Sequence, residues 1–338
     1  MKDVVRAAAV QAEPIWFDAA ATVDKTVTLI EEAAAQGAEI IAFPETWIPG
    51  YPAFLMYTSI DEEMPFVAEY RASSIAVDGP EMSRLRKAAA DNNIIVGVGF
   101  SERGGRSTYM AQALISNTGE LQIARRKLKP THRERTLFGQ GDGSDLQVVD
   151  TAVGKVGALM CWEHLQPFNK MAMIGAGEQI HIASWPQLDL FGGNTMTSDV
   201  IQSANRTYAL EAGAFVLMAT QTLTDHGRAA FNRYGVRFPE FNGGGGACIF
   251  GPDGSRLTEP LSSEMEGIVY ADLEMGIIEL ANYLTDPAGH YSRPDVYSFT
   301  IDVTKRRAVN QCGESNETYI DTEAPTAEET LASVEAVF

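Results

Sequence analysis

The order of apolar segments along this chain predicts an α/β fold, and three observations carry the prediction. Short apolar runs alternate with stretches of helical spacing through most of the sequence. Reactive side chains fall where apolar runs stop, at Glu45 and Cys161, and strand ends are where α/β proteins build their sites. The composition, 45% hydrophobic and 21% charged over 338 residues, is that of an ordinary soluble chain long enough to bury a large core.

The elements follow in order. Residues 4–11 are a short apolar strand. Residues 19–36 have helical spacing, with Val23, Val27, Ile30 and Ala34 on one stripe and Gly37 where a helix stop belongs. Residues 39–43 form the next buried strand, ended by Pro44. A helix is predicted over 80–92, with Pro80 at an early position and Asp78 near the cap, and a strand over 94–100. Segments 109–116 and 121–126 flank Asn117, Thr118 and Gly119, a hairpin signal. Strands are expected at 155–160, 179–183 and 215–219, and helices at 166–176 and 199–212. Residues 248–254 echo 114–119, an apolar pair and then a tight turn, which either a pseudo-repeat of two half-domains or chance explains. The run Gly243-Gly244-Gly245-Gly246 lacks phosphate-loop spacing and reads as a mobile loop or a close backbone contact.

Charge and composition exclude several functions. With 26 basic and 45 acidic residues the net charge is −19, so nucleic acid is not an expected partner. Three widely spaced cysteines, Cys161, Cys248 and Cys312, make no disulfide framework, and five scattered histidines show no ligand spacing, so neither metal nor cofactor is expected. No segment resembles a signal peptide or approaches a membrane span in length, and a cytoplasmic location is expected. We expect one domain over 1–311 and an acidic tail over 312–338, disordered or docked on a partner subunit.

Three segments carry chemistry. Phe43-Pro44-Glu45 presents a carboxylate after an apolar run, Arg126-Lys127-Leu128-Lys129-Pro130 presents an ammonium, and Leu159-Met160-Cys161-Trp162 presents a thiol. A thiol becomes a useful nucleophile when a nearby base or cation stabilises its thiolate. Glu45 can take and return the proton, and Lys127 can stabilise developing negative charge. The implied reaction is attack on an electrophilic carbon bonded to nitrogen. Taken singly, each residue has a plainer reading: an inert buried cysteine, a surface carboxylate, a solvated basic face. His164 reads as structural, because a thiol's catalytic histidine ordinarily comes from a distant segment.

Together, and in this order, Phe43-Pro44-Glu45, the segment 126–132 and Leu159-Met160-Cys161-Trp162-Glu163-His164 closely resemble the three signature segments of the nitrilase superfamily of carbon–nitrogen hydrolases. The resemblance runs from Ala7-Ala8-Ala9-Val10-Gln11 to Gly289-His290-Tyr291-Ser292-Arg293-Pro294-Asp295. Segments 49–52, 139–144 and His181-Ile182-Ala183-Ser184-Trp185-Pro186 look like its nitrilase branch. It implies an α-β-β-α sandwich, two sheets face to face with helices outside. It implies Glu45, Lys127 and Cys161 as the catalytic set, and adds Glu134, otherwise a surface ion-pair residue, as a second glutamate positioning Lys127 and the substrate. It also implies homodimers that build into larger or helical homo-oligomers.

The expected activity is hydrolysis of an organic nitrile to the acid and ammonia through a covalent thioimidate and thioester on Cys161. The amide of Trp162 is a plausible donor to the anionic intermediate. Tyr51, Phe138, Trp162, Trp185 and Pro186 lie in or beside the signature segments and are candidates for an apolar substrate pocket, with core packing as the alternative for the aromatic ones. An amidase or a cyanide-hydrolysing enzyme using the same Glu-Lys-Cys set is the nearest rival. An inactive, assembly-forming protein is the rival of another class.

Overall fold

A computed structural model describes residues 2–189 and 196–306. Cys312 and the acidic tail expected over 312–338 lie outside the described residues.

The first half contains β1 (Val4–Ala12), α1 (Ala19–Ala35), β2 (Ile40–Ala42), α2 (Ile60–Ala72), α3 (Pro80–Asp91), β3 (Ile95–Gly104), β4 (Ser107–Ile115), β5 (Leu121–Arg126) and β6 (Phe138–Gly139). The second contains β7 (Val148–Thr151), β8 (Gly154–Met160), α4 (Pro167–Gly175), β9 (Ile180–Trp185), α5 (Ser198–Ala212), β10 (Phe215–Gln221), α6 (Asp225–Phe231) and β11 (Cys248–Phe250). β12 (Gly267–Glu274) then returns antiparallel along β1, and α7 (Ile277–Leu284) follows.

Both halves have the same strand order. In each, three neighbouring strands run parallel, β1-β2-β3 and β8-β9-β10, and a fourth turns back antiparallel, β4 and β11. The echo between 114–119 and 248–254 therefore marks equivalent places, the tight turn that closes after each antiparallel strand. The parallel strands of the two halves join through two residue pairs of β1 and β10, Gln11 with Thr220 and Ala12 with Gln221, and β12 runs along β1 beside them.

Strand alternation builds the layers. Val5, Ala7 and Ala9 of β1, Ile40 and Ala42 of β2 and Ile95 of β3 pack with Val156 and Ala158 of β8, Ile180 and Ile182 of β9 and Phe215, Leu217 and Ala219 of β10. These are the inner faces of two packed sheets. The intervening residues face outward: Ala8, Val10 and Ile41 pack with Val23, Ile30 and Ala33 of α1 and Leu85 and Ala89 of α3. On the other side, Leu159, Ala183, Val216 and Met218 pack with Met173 of α4 and Ile201, Tyr208 and Ala209 of α5. The layers are helix, sheet, sheet, helix. Each large side chain so buried contributes about 1.5–3 kcal/mol.

Local signals start and stop these helices. Asp18 caps α1 by accepting from the Ala21 amide at 2.9 Å, and Gly37 at φ +82° ends it. The glycine run at 243–246 proves to be a close backbone contact: a Cβ on Gly245 would lie 2.2 Å from Cδ of Gln11. Among the described residues no helix is long and apolar enough to cross a membrane.

Candidate active site

The ends of β2, β8 and β9 are brought to one place by buried polar ties. Ser184 Oγ donates to the Phe43 carbonyl at 2.8 Å, and the Glu45 amide donates to the Trp185 carbonyl at 3.3 Å. Gln112 of β4 donates through Nε2 to Ser184 Oγ at 2.8 Å and to the Leu159 carbonyl at 3.3 Å. Gly99 of β3 makes room for the Glu45 turn, because a Cβ there would lie 2.3 Å from the Pro44 carbonyl oxygen and 2.9 Å from Cα of Glu45.

Lys127 follows β5, and its ammonium lies between two carboxylates. Nζ donates to Glu45 Oε1 at 2.7 Å and to Glu134 Oε2 at 2.9 Å, and all three residues are buried. Glu134 sits in the one-turn 3-10 helix His132–Thr136, where Thr131 and Glu134 form a capping box: the same Oε2 accepts the Thr131 amide at 2.5 Å. Its other oxygen accepts the Tyr51 hydroxyl at 2.8 Å. Glu134 is thus no surface residue but the anchor that fixes Lys127. Glu45 keeps one oxygen, Oε2, buried and without a hydrogen-bond partner. A free, buried carboxylate oxygen is available to move a proton.

Cys161 opens the 3-10 turn Cys161–Leu165 directly after β8, at φ +47°. That left-handed conformation costs a non-glycine residue on the order of 1–3 kcal/mol and is common where a side chain must be aimed. Burial and the negative charge of Glu45 push the Cys161 thiol well above its ordinary pKa. Lys127 and the Trp162 amide pull it down but are outweighed. Burial pushes the Glu45 carboxyl up to about 8 against the pull of Lys127, with Glu134 adding to the rise. Burial alone would lower the Lys127 pKa, but the carboxylates of Glu134 and Glu45 overcome it and hold Lys127 as a cation. The resting site therefore holds a thiol rather than a preformed thiolate.

Glu163, which the sequence reading passed over, ties the Cys161 turn to the lysine loop. Its Oε2 accepts the Met160 amide at 2.9 Å, while Oε1 accepts the Leu128 amide at 2.9 Å and Arg125 at 2.8 Å. The residue before Cys161 and the residue after Lys127 hang on one buried carboxylate, whose pKa is lowered against burial by Arg125. An acid so close to Cys161 in sequence was the available signal.

The candidate pocket residues are placed as follows. Tyr51 and Phe138 lie in an aromatic cluster with Phe54, Phe66, Tyr70 and Met160, which borders the site. Trp162 is half-buried beside Cys161, and Pro186 is buried. Trp185 is buried in the layer with α5, its indole N–H donating to Asn205 Oδ1 at 3.3 Å.

Comparison with known proteins adds to this geometry. A family model described as carbon-nitrogen hydrolase matches residues 6–283. A bromoxynil-specific nitrilase from Klebsiella pneumoniae subsp. ozaenae is 51% identical over 319 residues, covering 94% of this chain and 90% of that one. An aliphatic nitrilase from Rhodococcus rhodochrous is 47% identical over 309 residues, covering 90% of this chain and 84% of that one. Among solved structures, a carbon-nitrogen hydrolase from Helicobacter pylori G27 superposes with a TM-score of 0.68 at 18% identity, covering 87% of this chain and 97% of that one.

Proposed function

The chain belongs to the carbon–nitrogen hydrolase family, in its nitrilase branch, and from that premise we propose how its residues cleave a nitrile. The observation that supports the reading is the buried trio of Glu45, Lys127 and Glu134, one carboxylate oxygen left free, set against the Cys161 turn.

Glu45 in its carboxylate form takes the Cys161 proton as sulfur attacks the nitrile carbon, and returns it to the nitrile nitrogen, giving a thioimidate. Lys127 and the Trp162 amide stabilise the charge that develops on nitrogen. Water adds to the thioimidate, its proton passing through Glu45, and the protonated nitrogen leaves as ammonia. A thioester remains. A second water, deprotonated by Glu45, attacks it, and Cys161 leaves as thiolate and recovers the proton. The sum is one nitrile and two waters to one carboxylic acid and one ammonia.

The test is ammonia release from propionitrile, benzonitrile and phenylacetonitrile, each beside its matching amide. Turnover of a nitrile with little or none of its amide supports this reading. Preference for the amides would assign the same residues to amidase chemistry. We further propose a cytoplasmic enzyme, since a nucleophile that must stay a free thiol suits a reducing compartment. A homodimer building into larger or helical homo-oligomers is proposed from exposed apolar side chains on α7, where Tyr283 is 73% and Leu284 63% exposed.

Because Glu45 must be ionised to accept the thiol proton, kcat/KM rises with pH through its pKa. The acid limb is expected near pH 8, where burial sets Glu45, and not in the ordinary carboxylate range of about 4–5. An acid limb in that lower range would show that Lys127 outweighs burial at Glu45, and persistence of the limb in Glu45→Gln would remove Glu45 as the base. The Glu134 charge helps to hold Glu45 up. Glu134→Gln is therefore expected to shift the acid limb downward and to leave Glu45 less often protonated when ammonia must depart. The tetrahedral intermediate then expels Cys161 more often, and the amide share of the product rises. Chromatography measures the ratio; an active variant with an unchanged ratio would remove Glu134 from that partition.

A further inference from the structure

Leading away from the Cys161 carbonyl, a second buried chain of polar groups serves none of the steps above. His164 Nδ1 lies 2.8 Å from the Cys161 carbonyl oxygen, and His164 Nε2 lies 3.0 Å from His181 Nε2. His181 Nδ1 lies 2.8 Å from Glu178 Oε2, and the Tyr208 hydroxyl donates to Glu178 Oε1. All four side chains are buried. They come from the Cys161 turn, β9, the loop before it and α5.

Counting protons fixes the direction of this chain. A carbonyl only accepts, so His164 Nδ1 carries a proton and donates it to Cys161. His164 is held neutral, burial and His181 both lowering its pKa, so its Nε2 has a lone pair and accepts from His181 Nε2–H. One further proton lies between His181 Nδ1 and Glu178. His181 thus donates toward Cys161 while Glu178 and Tyr208 hold it from behind. The His164 ring is fixed by stacking on Trp185, with centroids 5.0 Å apart, and the His181 ring by Tyr208, with centroids 4.1 Å apart.

The carbonyl that receives this chain belongs to the same peptide group as the Trp162 amide. We propose that His164 and His181, backed by Glu178 and Tyr208, are positioning residues. They polarise the Cys161–Trp162 peptide group and hold Cys161 in its left-handed conformation, so that the Trp162 N–H meets the sulfur and the anionic intermediate as a stronger, fixed donor. Hydrogen bonds in series strengthen one another at low dielectric, and a donor aimed in advance at developing charge is worth most in catalysis. The Trp162 amide already acts to lower the Cys161 pKa. This inference rests on Cys161 being the nucleophile.

The test uses two replacements of similar size in the full chain. Asparagine places an amide N–H close to where His164 Nδ1 sits, and glutamine places one close to Nε2. His164→Asn keeps the bond to the Cys161 carbonyl but loses the link to His181, and should fall only about three- to fivefold in kcat. His164→Gln loses the bond to the Cys161 carbonyl. It should fall about 10- to 100-fold in kcat, with little change in KM, and should slow alkylation of Cys161 by iodoacetamide to a similar degree, the modified peptide being identified by mass spectrometry. A purely structural histidine would lower thermal stability in both variants and would not separate them in alkylation. If the two variants fall together, or if His164→Gln alkylates and turns over like the wild type, the proposal is overturned. Should His164→Gln not fold, Glu178→Gln carries the test: slower alkylation at an unchanged melting temperature supports the proposal, and an unchanged rate overturns it. Failure of the underlying mechanism is a separate result, namely turnover persisting in Cys161→Ala.

Discussion

Cys161→Ala abolishes turnover, by at least about 10⁴-fold, while Cys248→Ala retains it. The expected contrast comes from placement. Cys161 stands on a left-handed turn at the end of β8, under the fields of Lys127, Glu45 and Glu134. Cys248 lies in β11, its thiol donating to the Thr258 carbonyl at 3.1 Å, and burial, more than the charges of Arg256 and Glu259, holds that thiol protonated. No other group in the mechanism can form the covalent bond, so the loss does not depend on substrate. Mass spectrometry of the wild type stopped during turnover should find the acyl adduct on the Cys161 peptide. Full activity of Cys161→Ala, or an adduct on another residue, would refute the mechanism.

Lys127→Met carries the other large effect, and it has two parts. The first is chemical: the cation that stabilises charge in every anionic intermediate is gone, and kcat/KM should fall by at least about 10³-fold. Among the described residues the neighbouring cations in sequence are already engaged, Arg125 by Glu163, Arg126 by Glu102, and Lys129 by Gln140. The second is structural. Methionine keeps most of the volume but leaves Glu45 and Glu134 buried without their shared partner, a defect of about 3–5 kcal/mol. Glu45 already lies high, and removing the ammonium raises it further. A carboxyl whose folded pKa exceeds its unfolded one costs stability that grows as pH rises above the unfolded value and is complete above the folded one, so a variant with a still higher folded pKa falls further behind only above the wild-type value. The stability gap between wild type and Lys127→Met should therefore narrow as pH falls from about 9.5 to about 8, as measured by urea unfolding. Near-normal turnover, or a gap that widens on acidification, would contradict the placement of Lys127.

Much of this is legible from the residues, and the exceptions have physical causes. β1, β2 and β8 can be read because each is an apolar run ended by a polar or breaking residue. α1 can be read because its stripe, its Asp18 cap and Gly37 agree. α2 hides behind Pro65 and three acids in its first turn, although Ser59 and Glu62 spell a capping box. β12 alternates inward and outward along Val269, Ala271 and Leu273, but it pairs with β1, more than 250 residues earlier in the chain, so nothing local announces its partner. The carboxylate, ammonium and thiol are visible as residue types at segment ends. Their hydrogen bonds are not, because Tyr51 reaches Glu134 and Glu163 reaches Leu128 only through the tertiary fold. The chain from Cys161 through His164 to Tyr208 is hidden for the same reason, since its members come from four separate elements.

The repeated strand order has a consequence for how the catalyst can fail. Glu45, Lys127, Glu134 and Tyr51 all come from the first half, and Cys161 and Trp162 from the second. In the proposed mechanism neither half holds a complete machine; the proposed base and nucleophile ride on different plates, and the side chains between the plates act as a spacer that sets their separation. A change in that spacer, at Ile182 or Leu217 for example, touches neither the thiol nor the carboxylate, yet a misplacement of about 1 Å costs reacting groups on the order of 10²-fold in rate. Turnover in this enzyme is accordingly a gauge of interleaf thickness, more sensitive to a methyl group in the middle of the sandwich than the melting temperature would be.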